Sequence, residues 1–202
     1  MDANAWDARY AEADLVWSVE PNQFVAAECA DLPPGRALDL AAGEGRNAIW
    51  LAHRGWEVTA VDFAQAGLEK GRRLAGDASI EWVCGDAVTG EGVDVADLDL
   101  VVIAYLQLPA AERGAAVRRG FDALRPGGTF LLVAHDSTNL VHGVGGPQDA
   151  AVLMTSEDVV GDLEGREFET IRAERVTRLV DDGHRGTSGQ TAYDVLVRLV
   201  RR

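Results

Sequence analysis

The sequence predicts an α/β fold in which a seven-stranded, mostly parallel sheet ends in an antiparallel hairpin. Short apolar runs bounded by turn residues alternate with stretches of helical periodicity, as the strands and helices of βαβ units do. The first apolar run, 37–41, breaks into a turn with two glycines and then into a helical pattern. Near the end of the chain, 168–179 and 191–200 are rich in β-branched and apolar residues and flank a polar turn, which indicates a hairpin.

The individual elements are predicted from periodicity and end signals. Trp6 and Tyr10, four residues apart, indicate a first helix with one aromatic face, and Pro21 fits the first turn of a second helix. Thr155 and Asp158 match the pattern of a capping pair for a last short helix. The fourth strand is the most apolar, so we expect it at the centre of the sheet. Predicted helices span 3–12, 21–30, 44–53, 64–75 and 110–124, and predicted strands span 37–41, 56–62, 80–84, 98–104, 129–134, 168–179 and 191–200.

Length, charge and composition limit the classes of function. The 202 residues suit a single domain, 1–202. With 19 basic and 33 acidic residues the formal charge is −14, and no basic block occurs, which argues against a nucleic-acid partner. No stretch is long and apolar enough to span a membrane, and the N-terminus lacks a leader pattern, so we expect a cytoplasmic protein with no membrane partner. Cys29 and Cys84 have no Cys or His neighbour at metal-ligand spacing, so no metal is expected, and the oligomeric state is left open.

The turn after the first strand predicts a nucleoside site. Gly43 and Gly45 let the backbone approach a ligand, and the helix behind them offers free amides. The pattern fits a loose dinucleotide motif, and Asp62 lies 19 residues after Gly43, so NAD is one candidate ligand. Asp39 favours another, because a carboxylate inside the first strand would repel a pyrophosphate and attract a cation. S-adenosylmethionine (SAM) carries a sulfonium and an ammonium and no phosphate.

Residues 38–47, LDLAAGEGRN, resemble the first motif of the class I SAM-dependent methyltransferases. The GxGRN ending is most similar to that of the small tellurite-resistance and thiopurine-type methyltransferases, although the family usually has glycine where this chain has Ala41. The resemblance covers nearly the whole chain. It implies a Rossmann-like class I methyltransferase sandwich, SAM as the cofactor, and a small-molecule acceptor, with a thiol or soft anion among the candidates.

The resemblance also implies roles for particular residues. Asp62 would accept the ribose hydroxyls, Asp86 would accept the adenine amino group, and the helices before residue 34 would lie over the cofactor with Trp17 or Tyr10 as a lid. Each role competes with an ordinary structural one: a helix cap for Asp62, a turn for Asp86, and core packing for the aromatic residues. The expected cofactor-binding residues are Trp17, Asp39, Ala41, Gly43, Gly45, Arg46, Asn47, Asp62, Phe63, Asp86, Ala87, Ala104 and Tyr105.

Candidate catalytic residues follow the fifth strand and precede the last one. A neutral hydroxyl or amine acceptor needs a base, for which His135, Asp136 and His184 are candidates, whereas a thiolate or soft anion needs none. The pair of His184 and Arg185 resembles a His-Arg pair that the tellurite-resistance family places before its last strand, although a solvated turn also explains it. The glycine-rich connection 135–150 is long, and such loops are often functional lids.

Two other classes of function stay open at this point. A non-catalytic SAM-binding regulatory domain has the same motif, because binding does not prove turnover. An NAD-dependent Rossmann oxidoreductase is disfavoured, since Lys70 is the only lysine available for a catalytic Tyr-Lys pair, and it lies in a predicted helix.

Overall fold

The structure is a computed structural model that describes residues 3–180 and 189–202. Its helices are α1 (Ala3–Glu12), α2 (Gln23–Cys29), α3 (Arg46–His53), α4 (Gln65–Ala75), α5 (Ala110–Asp122), α6 (Asn139–His142) and α7 (Ser156–Gly161), with a 3-10 turn at Ala150–Val152. Its strands are β1 (Arg36–Leu40), β2 (Glu57–Asp62), β3 (Ile80–Cys84), β4 (Leu98–Ala104), β5 (Leu124–His135), β6 (Phe168–Leu179) and β7 (Thr191–Arg201). None of the helices in these ranges is both long enough and apolar enough to cross a membrane.

The strands form one seven-stranded sheet in the order β3-β2-β1-β4-β5-β7-β6. Strands β1 to β5 are parallel to one another, while β7 is antiparallel to both β5 and β6. The predicted fold is therefore confirmed, including the terminal hairpin and the central position of β4. The carboxyl ends of the five parallel strands lie at one edge of the sheet, which is where open α/β sheets bind ligands.

The core lies on both faces of the sheet. Along β4, Val101 and Ile103 pack into the cluster around Phe121, while Leu100 and Val102 pack into the cluster on the opposite face. Side chains alternate between the two faces of a strand, so a strand covered by helices on both sides must be apolar at every position. This explains the continuous apolar run that predicted β4.

Several predicted boundaries are refined by the structure. Helix α2 begins after Asn22, whose side chain accepts hydrogen bonds from the next backbone amides, so Pro21 precedes the helix instead of opening it. Helix α3 begins at Arg46, because Gly45 has a left-handed φ of 73°. The capping box of Thr155 and Asp158 is confirmed.

Candidate active site

The turn between β1 and α3 has three left-handed residues close together. Ala41, Gly43 and Gly45 have φ values of 64°, 57° and 73°. Ala41 thus adopts the conformation that the glycine usual at this position would adopt, at a cost of roughly 1 kcal/mol because its Cβ crowds the backbone. Asp62 supports the turn, since the Gly43 amide donates a hydrogen bond of 2.8 Å to its Oδ2.

Aromatic side chains pack directly against the two glycines. A Cβ atom added at Gly43 would lie 2.6 Å from the hydroxyl oxygen of Tyr10, and one added at Gly45 would lie 2.3 Å from the ring of Trp82. Neither contact leaves room for a side chain. Both glycines are therefore explained by packing and by backbone conformation, and close approach of a ligand stays a prediction.

Asp39 is the buried acid of this turn. Its Oδ2 accepts a hydrogen bond of 3.0 Å from the Ala48 amide, whereas its buried Oδ1 has no partner in the described part of the chain. Burial raises the pKa of Asp39 to about 7, although the Ala48 hydrogen bond and the charge of Arg46 oppose the rise. An unpaired buried oxygen is costly, so this atom is where a cationic ligand group would bind most favourably.

Asp62 lies at the carboxyl end of β2 and holds two elements together. Besides the Gly43 bond, its Oδ1 accepts a hydrogen bond of 2.8 Å from the Ala64 amide at the start of α4. Burial raises the pKa of this carboxyl group, and the two backbone hydrogen bonds oppose the rise. Each carboxylate oxygen keeps a second lone pair, so the cap and the ribose contact are compatible.

The remaining candidate cofactor-binding residues either stabilise local turns and helix starts or lie around the glycine turn. Asp86 Oδ1 accepts from the amides of Val88 and Thr89 at 2.7 and 3.2 Å, which closes a local turn. Asn47 Oδ1 accepts from the Asn22 amide at 2.9 Å and so joins α3 to the start of α2. Arg46 Nη1 donates to Ser18 Oγ at 3.1 Å, and burial lowers the pKa of Arg46. Phe63 and Ala104 are half-buried at strand ends, and Ala87 is buried.

The segment between α1 and α2 crosses the glycine turn and is held there by Glu44. The buried Glu44 carboxylate accepts hydrogen bonds from the amides of Val16 and Trp17, and Lys70 Nζ lies 3.4 Å from its Oε1. Trp17 is 37% exposed, and its Nε1 donates to the hydroxyl of Tyr10 at 3.3 Å. Sequence reasoning missed this contact of Glu44, since the motif leaves its position variable.

A second cluster lies where β4, β5, β6 and β7 meet, and we call Tyr105, His135, Arg178 and Asp194 the Asp194 cluster. Asp194 is fully buried, directly opposite His135 in the β5–β7 register. His135 Nδ1 lies 3.1 Å from Asp194 Oδ1. Arg178 Nε and the Tyr105 hydroxyl both donate to Asp194 Oδ2 at 2.9 Å.

The electrostatics of this cluster keep Asp194 ionised. Burial alone would raise the pKa of Asp194, but the hydrogen bond from His135 and the charge of Arg178 outweigh it and hold the pKa below its usual value. Burial, together with the charge of Asp194, raises the pKa of Tyr105, so its hydroxyl stays protonated and donates. Tyr105 has a left-handed φ of 60°, a strained conformation that is commonest at functional sites.

The other catalytic candidates are placed differently. Asp136 is buried, and its Oδ1 accepts from the amide and hydroxyl of Thr138 at 2.8 and 2.6 Å, which forms the turn into α6. His184 and Arg185 lie outside the described residues. Sequence reasoning missed Asp194, although a carboxylate inside an apolar strand is the same signal that singled out Asp39.

The chain matches known methyltransferases over its central part. Residues 37–128 match a family model described as a methyltransferase domain. Demethylmenaquinone methyltransferase of Clavibacter sepedonicus is 36% identical over 120 residues, which cover 59% of this chain and 47% of that protein. The chain thus spans about half the length of the curated relatives that it matches.

Solved structures share the whole fold. The structure reported for the conversion of a disulfide bond into a thioacetal group during echinomycin biosynthesis has a TM-score of 0.77 at 18% identity, covering 98% of this chain and 91% of that one. TehB from Haemophilus influenzae has a TM-score of 0.72 at 16% identity, covering 90% of this chain and 63% of that one. At these identities the likeness shows the fold alone.

These findings confirm the resemblance drawn from residues 38–47. The matching domain model covers the β1–α3 turn, the first related curated sequence is a methyltransferase, and the fold is shared with the solved neighbours. The chain thus carries a match to a methyltransferase domain over residues 37–128, and its sequence and fold resemble those of the class I SAM-dependent methyltransferases, whose methyl donor is S-adenosylmethionine.

Proposed function

We propose that the chain transfers the methyl group of SAM to a small-molecule acceptor whose reacting atom carries a proton, with a thiol as the first candidate. The observation that carries this proposal is the position of His135, whose Nδ1 lies 3.1 Å from the buried Asp194 carboxylate at the ligand edge of the sheet. Histidine is the most frequent general base in enzymes. A base is useful only where an acceptor must lose a proton, so this position favours turnover over mere cofactor binding.

The residues around the glycine turn fit the cofactor by their chemistry. Asp39 offers an unpaired buried oxygen to a cationic amino group, and Asp62 keeps free lone pairs for hydroxyl donors. When bound, SAM supplies a methyl carbon on a positively charged sulfur. Trp17 and the helices before residue 34 would cover the cofactor, which would make 1–202 a single catalytic domain.

On the acceptor side, His135 takes the proton, Arg178 balances the charge of Asp194, and Arg46 supplies positive charge. Arg178 reaches the Asp194 carboxylate, and Arg46 lies close enough to Tyr105 and Asp39 to interact electrostatically with both. Positive charge near a thiol favours its thiolate form, which is the nucleophile. A soft anion would be attracted by Arg46 and would react without His135.

A ring acceptor with an apolar body is the second candidate. Leu15, Trp17 and Val19 are exposed by 40%, 37% and 58% in the segment that crosses the glycine turn. Exposed apolar groups beside a site favour an apolar ligand. The relative from Clavibacter sepedonicus is named a demethylmenaquinone methyltransferase, so a quinol is the ring acceptor to test first.

We place the reaction in the cytoplasm. Both cysteines are free, Cys29 in the core and Cys84 at the surface, and unpaired thiols are usual in a reducing compartment.

A methyl-transfer assay tests the proposed function. The panel holds thiols, quinols, phenols, amines, selenite and tellurite, each assayed with the native chain and with His135→Ala. We expect turnover on a thiol or a quinol and a loss of roughly 10² to 10⁴ in the variant at unchanged SAM affinity. Turnover of the two oxyanions alone, unaffected by the substitution, would contradict a proton-bearing acceptor. SAM binding without turnover of any acceptor would indicate a regulatory domain.

A further inference from the structure

We propose that Asp194 is the positioning residue of the acceptor site. It fixes His135 in the tautomer whose Nδ1–H points at Asp194, so that Nε2 is the atom that accepts the acceptor's proton. The proposal rests on the proposed function for the identity of the base, but it concerns residues that neither the motif nor the comparisons assign. The tautomer of the His135 imidazole can be measured in the absence of cofactor and acceptor.

The two nitrogens of the His135 imidazole have different surroundings. Nδ1 lies 3.1 Å from Asp194 Oδ1, a close contact without the alignment of a regular hydrogen bond, and neither atom has a hydrogen bond to any other group in the described part of the chain. Because Asp194 is ionised, its oxygen can only accept, so the ring nitrogen facing it must carry the proton. Within ranges 3–180 and 189–202, no hydrogen bond involves Nε2, and the side chain is 14% exposed. Nε2 is therefore the nitrogen left for a substrate.

The imidazole ring of His135 is held in place by its neighbours. The Tyr105 ring lies 4.8 Å from the imidazole, centroid to centroid. On Gly146, which has a φ of 74°, a Cβ would lie 2.9 to 3.0 Å from the imidazole atoms, so the backbone of the 135–150 connection is in close contact with the ring. The His135 amide donates to Gln107 Oε1 at 2.8 Å. Because Asp194, Tyr105 and Gly146 surround the ring, it has little freedom to rotate, and Nε2 keeps its direction.

Asp194 is itself held in place by two further side chains. Its Oδ2 accepts from both Arg178 Nε and the Tyr105 hydroxyl, which leaves Oδ1 for His135. Among the described residues, the imidazole contacts Asp194 on β7 and Tyr105 at the end of β4, and Arg178 on β6 contacts both of these groups. With Arg178 positive, Asp194 negative and Tyr105 neutral, the cluster has no net charge while the imidazole is neutral.

The arrangement gives a balanced proton path. The acceptor's X–H bond breaks, its proton moves to Nε2, and the electron pair stays on X for the new bond to carbon. The imidazolium formed is stabilised by the Asp194 carboxylate at Nδ1, and its proton returns to water after the product leaves.

The test is the tautomer of His135, read from imidazole ¹⁵N shifts in the full chain at about pH 8.5, where a free imidazole is neutral. The chain has four histidines, so the spectrum of His135→Gln assigns the signal. We expect the Nδ1–H tautomer in the native chain, and a shift toward Nε2–H in Asp194→Asn, whose amide can donate to Nδ1. An Nε2–H tautomer in the native chain overturns the proposal, and this outcome does not depend on whether Asp194→Asn folds.

Asp162→Asn is the matched control, because Asp162 is a half-buried acid that is also paired with an arginine, Arg113, at 2.7 Å. We expect both variants to lose stability, but only Asp194→Asn to shift the tautomer and to lower kcat by roughly 10² to 10⁴ on a protonated acceptor with SAM affinity retained. An equal loss of kcat in Asp162→Asn, or an unchanged tautomer in a folded Asp194→Asn, would show that Asp194 is only structural. A native Nδ1–H tautomer combined with full activity in His135→Ala would instead contradict the proposed base and leave the positioning intact.

Discussion

The two ends of the candidate site contain buried carboxylates in opposite electrostatic states. Asp39, on the cofactor side, has one backbone donor and one unpaired oxygen, and its pKa is raised to about 7. Asp194, on the acceptor side, interacts with Arg178, Tyr105 and His135, and its pKa is lowered. We therefore propose that a ligand cation completes the cofactor side, whereas the carboxylate of the acceptor side already has charged and polar partners within the protein.

The largest effect should come from the acceptor side. We expect His135→Ala to lower kcat by roughly 10² to 10⁴ on a protonated acceptor with SAM affinity within about twofold, since the base is lost and the cofactor contacts are not. Asp136→Ala should instead lower stability, because Asp136 forms the turn into α6. His142→Ala, an exposed position on the same connection, is the control. Equal turnover in all three variants would mean that the site works by orientation alone.

The next effect concerns Asp62 on the cofactor side. We expect Asp62→Ala to weaken SAM binding by about 1 to 3 kcal/mol and also to lower stability by about 1 to 3 kcal/mol, since the amides of Gly43 and Ala64 lose their acceptor. Calorimetric titration measures the SAM affinity, and chemical denaturation measures the free energy of unfolding. A variant that loses stability but binds SAM with native affinity would make Asp62 a cap and nothing more.

The pH dependence of stability should separate the two carboxylates. The folded pKa of Asp39 lies above its unfolded value of 3.8, so its contribution to stability decreases as pH rises from about 4 to 7. We therefore expect Asp39→Asn to stabilise the ligand-free chain by about 1 to 2 kcal/mol above pH 7 and to have little effect near pH 4. Asp194 has a lowered pKa, so its contribution is present at neutral pH and is lost on acidification. Denaturation curves across this range test both signs.

The smallest effect is expected at Ala41. Its left-handed φ of 64° makes glycine acceptable there, so Ala41→Gly should change the free energy of unfolding by less than about 1 kcal/mol and in the stabilising direction. Ala42→Gly is the matched control, because Ala42 lacks a positive φ and should lose about 0.5 to 1 kcal/mol. The reverse order of stabilities would contradict the strain assigned to Ala41.

The sequence predicted the fold because local and global signals agree. The predicted limits of β3 and β4 match the observed ones. Polar turn residues bound each apolar run, and a strand buried in a parallel sheet extends as far as its apolar run does. Asp39 and Asp62 were predicted to lie near one edge of the sheet, because each lies toward the carboxyl end of a predicted parallel strand. Helix starts shifted by one or two residues where a side-chain cap, as at Asn22, decided the boundary.

The acceptor side was predictable only in part. His135 was found because it ends a strand, but its partner Asp194 is 59 residues away in sequence and becomes its neighbour only through the antiparallel register of β5 and β7. Arg178 depends on the register of β6 in the same way. Glu44 was missed because its partners are backbone amides, which sequence patterns do not reveal.

Calorimetric titration tests most directly whether the cofactor side binds a cationic nucleoside. Near pH 7 the chain is titrated with SAM, S-adenosylhomocysteine and NAD, each in two buffers of different ionisation enthalpy. A ligand cation beside Asp39 favours the ionised carboxylate, so SAM and S-adenosylhomocysteine should bind with release of roughly half a proton, and Asp39→Asn should abolish that release. NAD should not bind. Binding of NAD in the absence of SAM binding, or SAM binding with the same proton release in Asp39→Asn, would contradict the account.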